Sequence, residues 1–304
     1  MHKPVMVEEV LETLALRDQE TYIDATFGTG GYSAAILENE NCFVVALDRD
    51  PEAALRAESF KKKYNNRFSF YEGRFGDMEK LVPSIGYDGI VFDVGVSSPQ
   101  LDESSRGFSF RMEGPLDMRM EKKGLSAADV VNGFEEKEIA RIIWVYGEER
   151  RSRAIARAIV AQRKEHPFET TTQLAALVRP IVGVERPGFD PATRTFQALR
   201  LYVNDELGEL ERGLEASEKL LKTGGRLVVV CFHSLEDRIV KTFLKKKSGG
   251  LANPSRYLPE APPLVPTFQL KNRKALSPGD AEIKSNPRAR SAHLRSAIRM
   301  EGKS

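Results

Sequence analysis

Thirteen residues, Thr21-Tyr-Ile-Asp-Ala-Thr-Phe-Gly-Thr-Gly-Gly-Tyr-Ser33, constrain this chain more than any other stretch. Tyr22 to Phe27 reads as a buried strand that breaks into a glycine-rich turn and opens a helix at about Tyr32. Gly28, Gly30 and Gly31 let backbone approach a ligand where a side chain would intrude. The helix behind the turn aims free N–H groups at the same space. A second apolar run, Cys42-Phe-Val-Val-Ala-Leu-Asp48, ends in an acid where a ribose hydroxyl would need an acceptor. Together these mark a nucleoside-cofactor site. Ser33 stands where a dinucleotide fingerprint wants its third glycine. A sulfonium cofactor without phosphates is better served by nearby carboxylates such as Asp24 and Asp48.

With 304 residues, 41% hydrophobic and 30% charged, the chain is expected to be an ordinary soluble protein of two domains. No run approaches a membrane span, and the N-terminus has no signal-peptide apolar core. Cys42 and Cys231 lie in apolar strand-like runs and read as core thiols of a reducing cytoplasm. The two Cys and four His show no metal-ligand spacing, so no metal is expected. Net charge is +2, but Lys241 to Ser304 holds 14 Lys/Arg against 4 Asp/Glu, a basic end that suits a polyanionic partner.

Along the chain, a short helix is expected over Val7–Leu16, and Asp50-Pro51 caps and opens a helix reaching about Tyr64. Strands follow at Arg67–Phe75 and Asp88–Gly95. Strands alternating with helices predict an α/β, Rossmann-like, mostly parallel sheet, with ligands at the C-terminal strand ends. Val94–Met120 is long, polar and aperiodic yet carries Phe108, Phe110, Met112, Leu116 and Met118, so it is expected to be ordered and to line the active site. Ser126–Val184 shows only helical patterns, at Ala127–Asn132, Glu135–Val145 and Glu149–Lys164 and from Thr170–Thr172 onward. This is an inserted all-helical domain. The expected divisions are 1–110 and 193–304 for the sheet domain and 111–192 for the insert, which would recognise substrate. Arg150, Arg153 and Arg157 share one helical face, either solvated or phosphate-contacting. Thr195 is expected to cap one long helix through Leu214, with Gln197, Arg200 and Asn204 as a polar stripe. Arg226–Phe232 reads as a fifth, buried strand, and Ser234 with Asp237 as the capping start of the next helix, which puts His233 at the strand edge beside Asp93. The Gly/Pro-rich stretch to Pro266 reads as a surface loop. Thr267–Asn272 and Ala292–Arg299 read as two last strands, the final one antiparallel, around a basic turn, Asn286-Pro-Arg-Ala-Arg290.

Several of these segments resemble one family, the ribosomal RNA small-subunit methyltransferase H type. The resemblance is carried by Thr26-Phe-Gly-Thr-Gly-Gly31, Leu47-Asp-Arg-Asp-Pro51 and Asp93-Val-Gly-Val-Ser-Ser-Pro-Gln100. It continues through Arg106–Phe110, Gly114–Met120, Tyr146–Arg150, Ala192–Ala198, Phe232–Arg238 and Asn286–Ser291. Tyr32 departs from it, since the family commonly has His there. The resemblance implies S-adenosylmethionine as cofactor and methylation of a cytidine N4 amine in small-subunit rRNA. By position it implies that Gly30, Gly31 and Tyr32 meet the methionine part, Asp48 the ribose and Phe75 the adenine, while Asp93 and Gln100 close the pocket. The partners implied are small-subunit rRNA or the small ribosomal subunit, in the cytoplasm with no membrane; a homodimer is left open.

Methylating that amine needs an acceptor for its hydrogens, because its lone pair is delocalised into the ring. Asp93, Ser97, Ser98 or a nearby carbonyl are the candidates, with His233 able to order the base. Arg153, Arg157, Arg288 and Arg290 are the candidate RNA contacts. Two other classes compete: an NAD-dependent oxidoreductase and a non-catalytic RNA-binding module on the same fold.

Overall fold

The computed structural model describes residues 4–184, 188–250 and 265–301. The loop expected up to Pro266 therefore lies, over residues 251–264, outside the described residues. The chain divides into two compact units, Met1–Gly95 with Leu207–Ser304, and Val96–Glu206.

The first unit opens with α1 (Val7–Leu14), β1 (Thr21–Asp24), α2 (Gly31–Asn39), β2 (Phe43–Asp48) and α3 (Pro51–Tyr64). It continues with β3 (Phe68–Glu72), α4 (Met78–Leu81) and β4 (Tyr87–Asp93). The helical unit holds α5 (Ser98–Asp102), α6 (Ala127–Gly133), α7 (Glu136–Gly147), α8 (Ser152–Gln162), α9 (Thr171–Val182) and α10 (Thr193–Val203). The first unit then resumes with α11 (Glu206–Leu220), β5 (Leu221–Cys231), α12 (Ser234–Lys247), β6 (Phe268–Leu270), α13 (Asp280–Ser285) and β7 (His293–Arg299). Asp50 caps α3 as expected, its side chain accepting from the Glu52 N–H.

The seven strands form one sheet in the order β3-β2-β1-β4-β5-β7-β6. β1 to β5 pair in parallel, and β7 runs antiparallel between β5 and β6. Its interior strands bury both faces, and the period of two sorts their side chains. Tyr22, Val44, Ala46, Val91, Val228 and Val230 join one core with α1, α2 and α3. Ile23, Val45, Leu47, Ile90, Phe92, Leu227 and Val229 join the other with Leu210, Leu214, Val240 and Phe243. β5 is longer than expected because it pairs Tyr87 with Leu221 before a bulge, where Gly224 takes φ +82°.

Three sequence expectations are corrected. Phe75 is not on the third strand, which ends at Glu72; it opens a short 3-10 turn, Phe75–Asp77. Thr195 does not cap a helix. α10 starts at Thr193 after Ala192, leaving Thr195 buried within it, and the long helix is broken at Asn204–Asp205, where Asp205 is left-handed at φ +49°. The polar stripe explains the break: Asn204 accepts from the Met120 N–H and donates to the Met118 carbonyl, and Arg200 pairs with Glu206 at 2.8 Å. Third, the helical unit runs from Val96 to Glu206, wider than 111–192. Phe108, Leu116, Met118 and Met120 are part of its core, and the buried Arg106 holds the Met120 carbonyl at 3.0 Å.

In that unit α7 and α10 meet backbone to backbone. A Cβ built on Gly147 lies 2.5 Å from the Arg194 carbonyl oxygen and 3.2 Å from the Ala198 Cβ. Gly147→Ala must push the helices apart, and overpacking of this kind costs about 1–3 kcal/mol. Thermal melts should show the loss; a variant as stable as the parent would mean that this contact yields freely.

Candidate functional site

The pleat that sorts the core also aligns three acids. Asp24, Asp48 and Asp93 follow Tyr22, Ala46 and Val91 by two residues each on the adjacent strands β1, β2 and β4. All three therefore face the side of α1, α2 and α3, at the C-terminal strand ends. Asp24 pairs in register with Ala46 and Val91, so Asp48 and Asp93 stand one pleat further out on either side.

Asp24 is fully buried and serves α2. Gly30, the residue before that helix, has no side chain with which to cap it. The Asp24 Oδ2 does so from the strand, accepting from the Ser33 N–H at 3.2 Å and the Ser33 hydroxyl at 2.7 Å. Asp48 holds the other end of the turn: Oδ2 accepts from the Gly28 N–H at 2.6 Å and Oδ1 from the Asp50 N–H at 2.9 Å. The Thr26 hydroxyl oxygen accepts from the Asp93 N–H at 2.7 Å, tying the turn to β4. The glycine turn is thus a preformed backbone cradle. From sequence, Asp48 is expected to face a ligand alone; here it also orders the turn.

The glycines need a related correction. A Cβ on Gly30, which has φ +81°, would lie 2.3 Å from the Phe60 ring, and one on Gly31 would lie 3.0 Å from Pro4. The room they leave is taken by the protein's own side chains. Tyr32 is buried, its hydroxyl donating to the Val5 carbonyl oxygen. The N–H groups of Gly31 and Tyr32, in the first turn of α2, have no carbonyl four residues back within the helix.

Burial dominates the electrostatics. It pushes the Asp24 carboxyl up to about 6, with Asp48's charge adding to it, and raises Asp48 as well. Asp93 rises to about 8, through burial and then the charges of Asp24 and Glu236. Its Oδ1 is buried without a hydrogen-bond partner. Three crowded carboxylates make a site that favours a cation.

Phe75 packs edge-on against Phe92 at 5.5 Å between centroids. It sits where Gly213 has no Cβ, and the adjacent Gly76 N–H is held at 2.9 Å by the buried Glu209. His233 is at the strand edge as expected, but the capping pair is His233 with Glu236, not Ser234 with Asp237. Asp237 instead pairs with Arg295 at 2.6 Å. Glu236, absent from the residues singled out by sequence, has 0% exposure. Its spacing of three from His233 was the available signal, obscured because His is not among the usual capping residues.

Ser97, Ser98 and Gln100 belong to the helical unit, at the start of α5, where the Gln100 Oε1 accepts from the Ser97 N–H at 2.9 Å. Arg153 and Arg157 are exposed on α8. Arg288 and Arg290 are exposed on the 3-10 turn Pro287–Ser291, whose start Asn286 caps. A cavity of about 710 Å³ lies apart from the strand-end acids, lined by Gly76, Leu214, Ile239 and Phe243 among others. Among the described residues no group of three His, Cys, Asp or Glu side chains is placed to hold a metal, and no helix is long and apolar enough to cross a membrane.

The model of the MraW methylase family matches residues 1–300. The ribosomal RNA small subunit methyltransferase H of Paramagnetospirillum magneticum is 56% identical over 303 residues, covering 98% of this chain and 95% of that protein. The protein of that name from Rhodospirillum rubrum is 52% identical over 310 residues, covering 99% and 94%. The crystal structure of an rRNA methylase from Streptococcus thermophilus aligns over 99% of both chains with a TM-score of 0.44 and 12% identity.

The raised carboxyls set a pH dependence. An unfolded Asp releases its proton near pH 4, whereas the folded chain keeps protons on Asp24 to about 6 and on Asp93 to about 8. Between those limits the folded state binds more protons, so these groups' contribution to stability is full at low pH and falls as pH rises. Asp93→Asn should flatten the fall in melting temperature between about pH 6 and pH 8. An unaltered pH slope would take Asp93 out of the buried cluster.

Proposed function

This chain belongs to the MraW methylase family, and from that premise we propose how its residues work. It is an S-adenosylmethionine-dependent methyltransferase of small-subunit ribosomal RNA, acting on the N4 amine of a cytidine. The single observation that carries the assignment of chemistry is the Asp93 Oδ1, a buried acceptor without a partner beside the preformed glycine turn. Neither a dinucleotide oxidoreductase nor a non-catalytic RNA-binding module is favoured for a chain with these relatives.

The residues fit the cofactor. An aliphatic sulfonium suits the three crowded carboxylates, and an amino-acid carboxylate suits the uncapped N–H groups of α2. Gly28, Gly30, Gly31 and Tyr32 would hold the methionine part, Asp48 the ribose and Phe75 the adenine. Gln100 joins them on the family resemblance alone. When bound, S-adenosylmethionine supplies a methyl group on a cationic sulfur. Asp93 orients the cytidine amine by accepting one of its hydrogens and takes the proton once the new bond forms. Asp24 is fully buried and the Asp93 Oδ1 is enclosed, which limits the water that would compete for those hydrogens. Ser97 and Ser98 are the other candidate acceptors, and the cytidine must be unstacked to enter.

The helical unit would recognise the RNA. Arg153 and Arg157 are exposed and carry no ion pair among the described residues, so they are available to phosphates. The substrate is rRNA in the small subunit, met in the cytoplasm without a membrane.

Radiolabelled S-adenosylmethionine with small ribosomal subunits lacking the modification tests the whole reading. Label should appear on cytidine N4, and absence of transfer would overturn it. At saturating cofactor, Asp93→Asn should turn over about 10²-fold more slowly, the usual scale for a positioned acid–base group. Full activity in a stable variant would remove Asp93 from the chemistry.

The cofactor's charge should also be visible in binding. A cation beside Asp93 favours its ionised form, so binding near neutral pH expels a proton. Affinity for S-adenosylmethionine should rise with pH, by up to about tenfold per unit below the Asp93 pKa. Affinity for uncharged-sulfur S-adenosylhomocysteine should rise less. Equal pH dependence in calorimetry would place the sulfonium elsewhere.

Replacing Arg153 and Arg157 with Ala should weaken substrate binding and leave cofactor affinity intact. The salt slope should fall by about 0.7–0.9 for each phosphate that is no longer neutralised. An unchanged slope would mean that this face is only solvated.

A further inference from the structure

Three buried polar atoms at the ends of β4 and β5 lack hydrogen-bond partners: Asp93 Oδ1, His233 Nε2 and Glu236 Oε1. The last two face each other at 2.9 Å. Glu236 is fully enclosed in the first turn of α12, and its Oε2 accepts from the N–H groups of Phe232 at 2.8 Å and His233 at 3.2 Å. The His233 Nδ1 in turn accepts from the Glu236 N–H at 3.4 Å. A ring nitrogen that accepts needs its lone pair, so this network assigns the ring proton to Nε2, toward the Glu236 Oε1. Its Nδ1 is therefore occupied within its own helix start and its Nε2 already carries the ring proton, so neither nitrogen is left to take a proton from a substrate.

From this geometry we infer that Glu236 is a positioning residue of the methyl transfer: it locks His233 as the cap of α12 and sets a fixed negative charge behind Asp93, leaving Asp93 as the proton acceptor. The inference rests on the methyl-transfer reading above. In the step, the N4 lone pair forms the N–C bond as the S–C bond breaks, and that bond's electrons stay on sulfur. N4 then carries the positive charge and loses one hydrogen, as a proton, to the Asp93 carboxylate. The products are the methylated amine, the neutral thioether and a protonated Asp93, which returns its proton to water.

The charges around Asp93 agree with this. Asp24 from β1 and Glu236 from α12 both oppose its ionisation, and Tyr32 from α2 faces it as a neutral phenol. Near Glu236, Cys231 is held as a neutral thiol, and Asp237 is neutralised by Arg295 of β7. Among the described residues no cation offsets Glu236 at Asp93.

The test is the single-turnover rate at saturating cofactor, measured against pH for the parent and for Glu236→Gln. The amide keeps the size and one oxygen for the Phe232 and His233 N–H groups but removes the charge. The acid limb, where Asp93 must ionise, should move to lower pH by on the order of one unit. A limb that stays in place in a folded variant overturns the role of Glu236. Should Glu236→Gln fail to fold, ¹⁵N spectra of histidine-labelled parent protein decide instead. His233 should show the Nε2–H tautomer; a ring proton found on Nδ1 instead would break the network with the Glu236 N–H and overturn the inference. Full turnover in Asp93→Asn marks a different failure, that of Asp93 as acceptor.

Discussion

The structure around the site depends on one buried carboxylate doing a helix's capping from another element. Gly30 precedes α2 in a left-handed conformation and has no side chain, so the N–H of Ser33 needs an acceptor from elsewhere. Asp24 supplies it from inside β1, at full burial. The strand and the helix are thereby locked at the angle that shapes the Gly28–Tyr32 turn. Asp48 and Thr26 fasten the turn on its two sides, to β2 and β4. A buried acid without this many donors would be a serious liability. With them it is the joint on which the glycine turn hangs.

The same arrangement explains why the site is poised for a cation. The period of two that buries Tyr22, Ala46 and Val91 delivers Asp24, Asp48 and Asp93 to one face, where Asp48 opposes the ionisation of Asp24 and Asp24 that of Asp93. Asp24 and Asp48 meet the problem with backbone and hydroxyl donors, whereas Asp93 Oδ1 has none. The group left with an open acceptor is also raised, to about 8. An acid matched to neutral pH transfers protons at least penalty in either direction. Its position and its environment point to the same role.

Much of this was readable from residues alone, because it follows from periodicity. The parallel sheet, the two last strands, the strand-end acids and the Asp50 cap all come from spacing that local sequence carries. What escaped depends on contacts between distant residues. The apolar spacing from Phe196 to Leu214 is continuous, yet the helix breaks because Asn204 is drawn into bonds with Met118 and Met120. The cap of α12 moved by one residue because Glu236 is buried against Phe232 and His233, which no propensity records. Gly30 and Gly31 looked like room for a ligand, but Phe60 and Pro4 occupy it.

Charge shows the same limit in a different form. The basic excess of the C-terminal stretch suggested a polyanion contact there, but a count of charges is not a count of available charges. Lys247 is held by Glu215 and Glu218, Arg295 by Asp237, and Arg299 by the carbonyls of Glu218 and Thr267. These cations serve the fold, and releasing them to phosphates would cost the contacts they already make. On α8 and the turn before it, Arg150, Arg151, Arg153 and Arg157 are exposed and carry no such partner among the described residues. Counterion release rewards a cation that is free beforehand. The proposed contact to the RNA backbone draws on exposed cations, Arg153 and Arg157 in the helical unit and Arg288 and Arg290 on the C-terminal turn, rather than on the C-terminal excess as a whole.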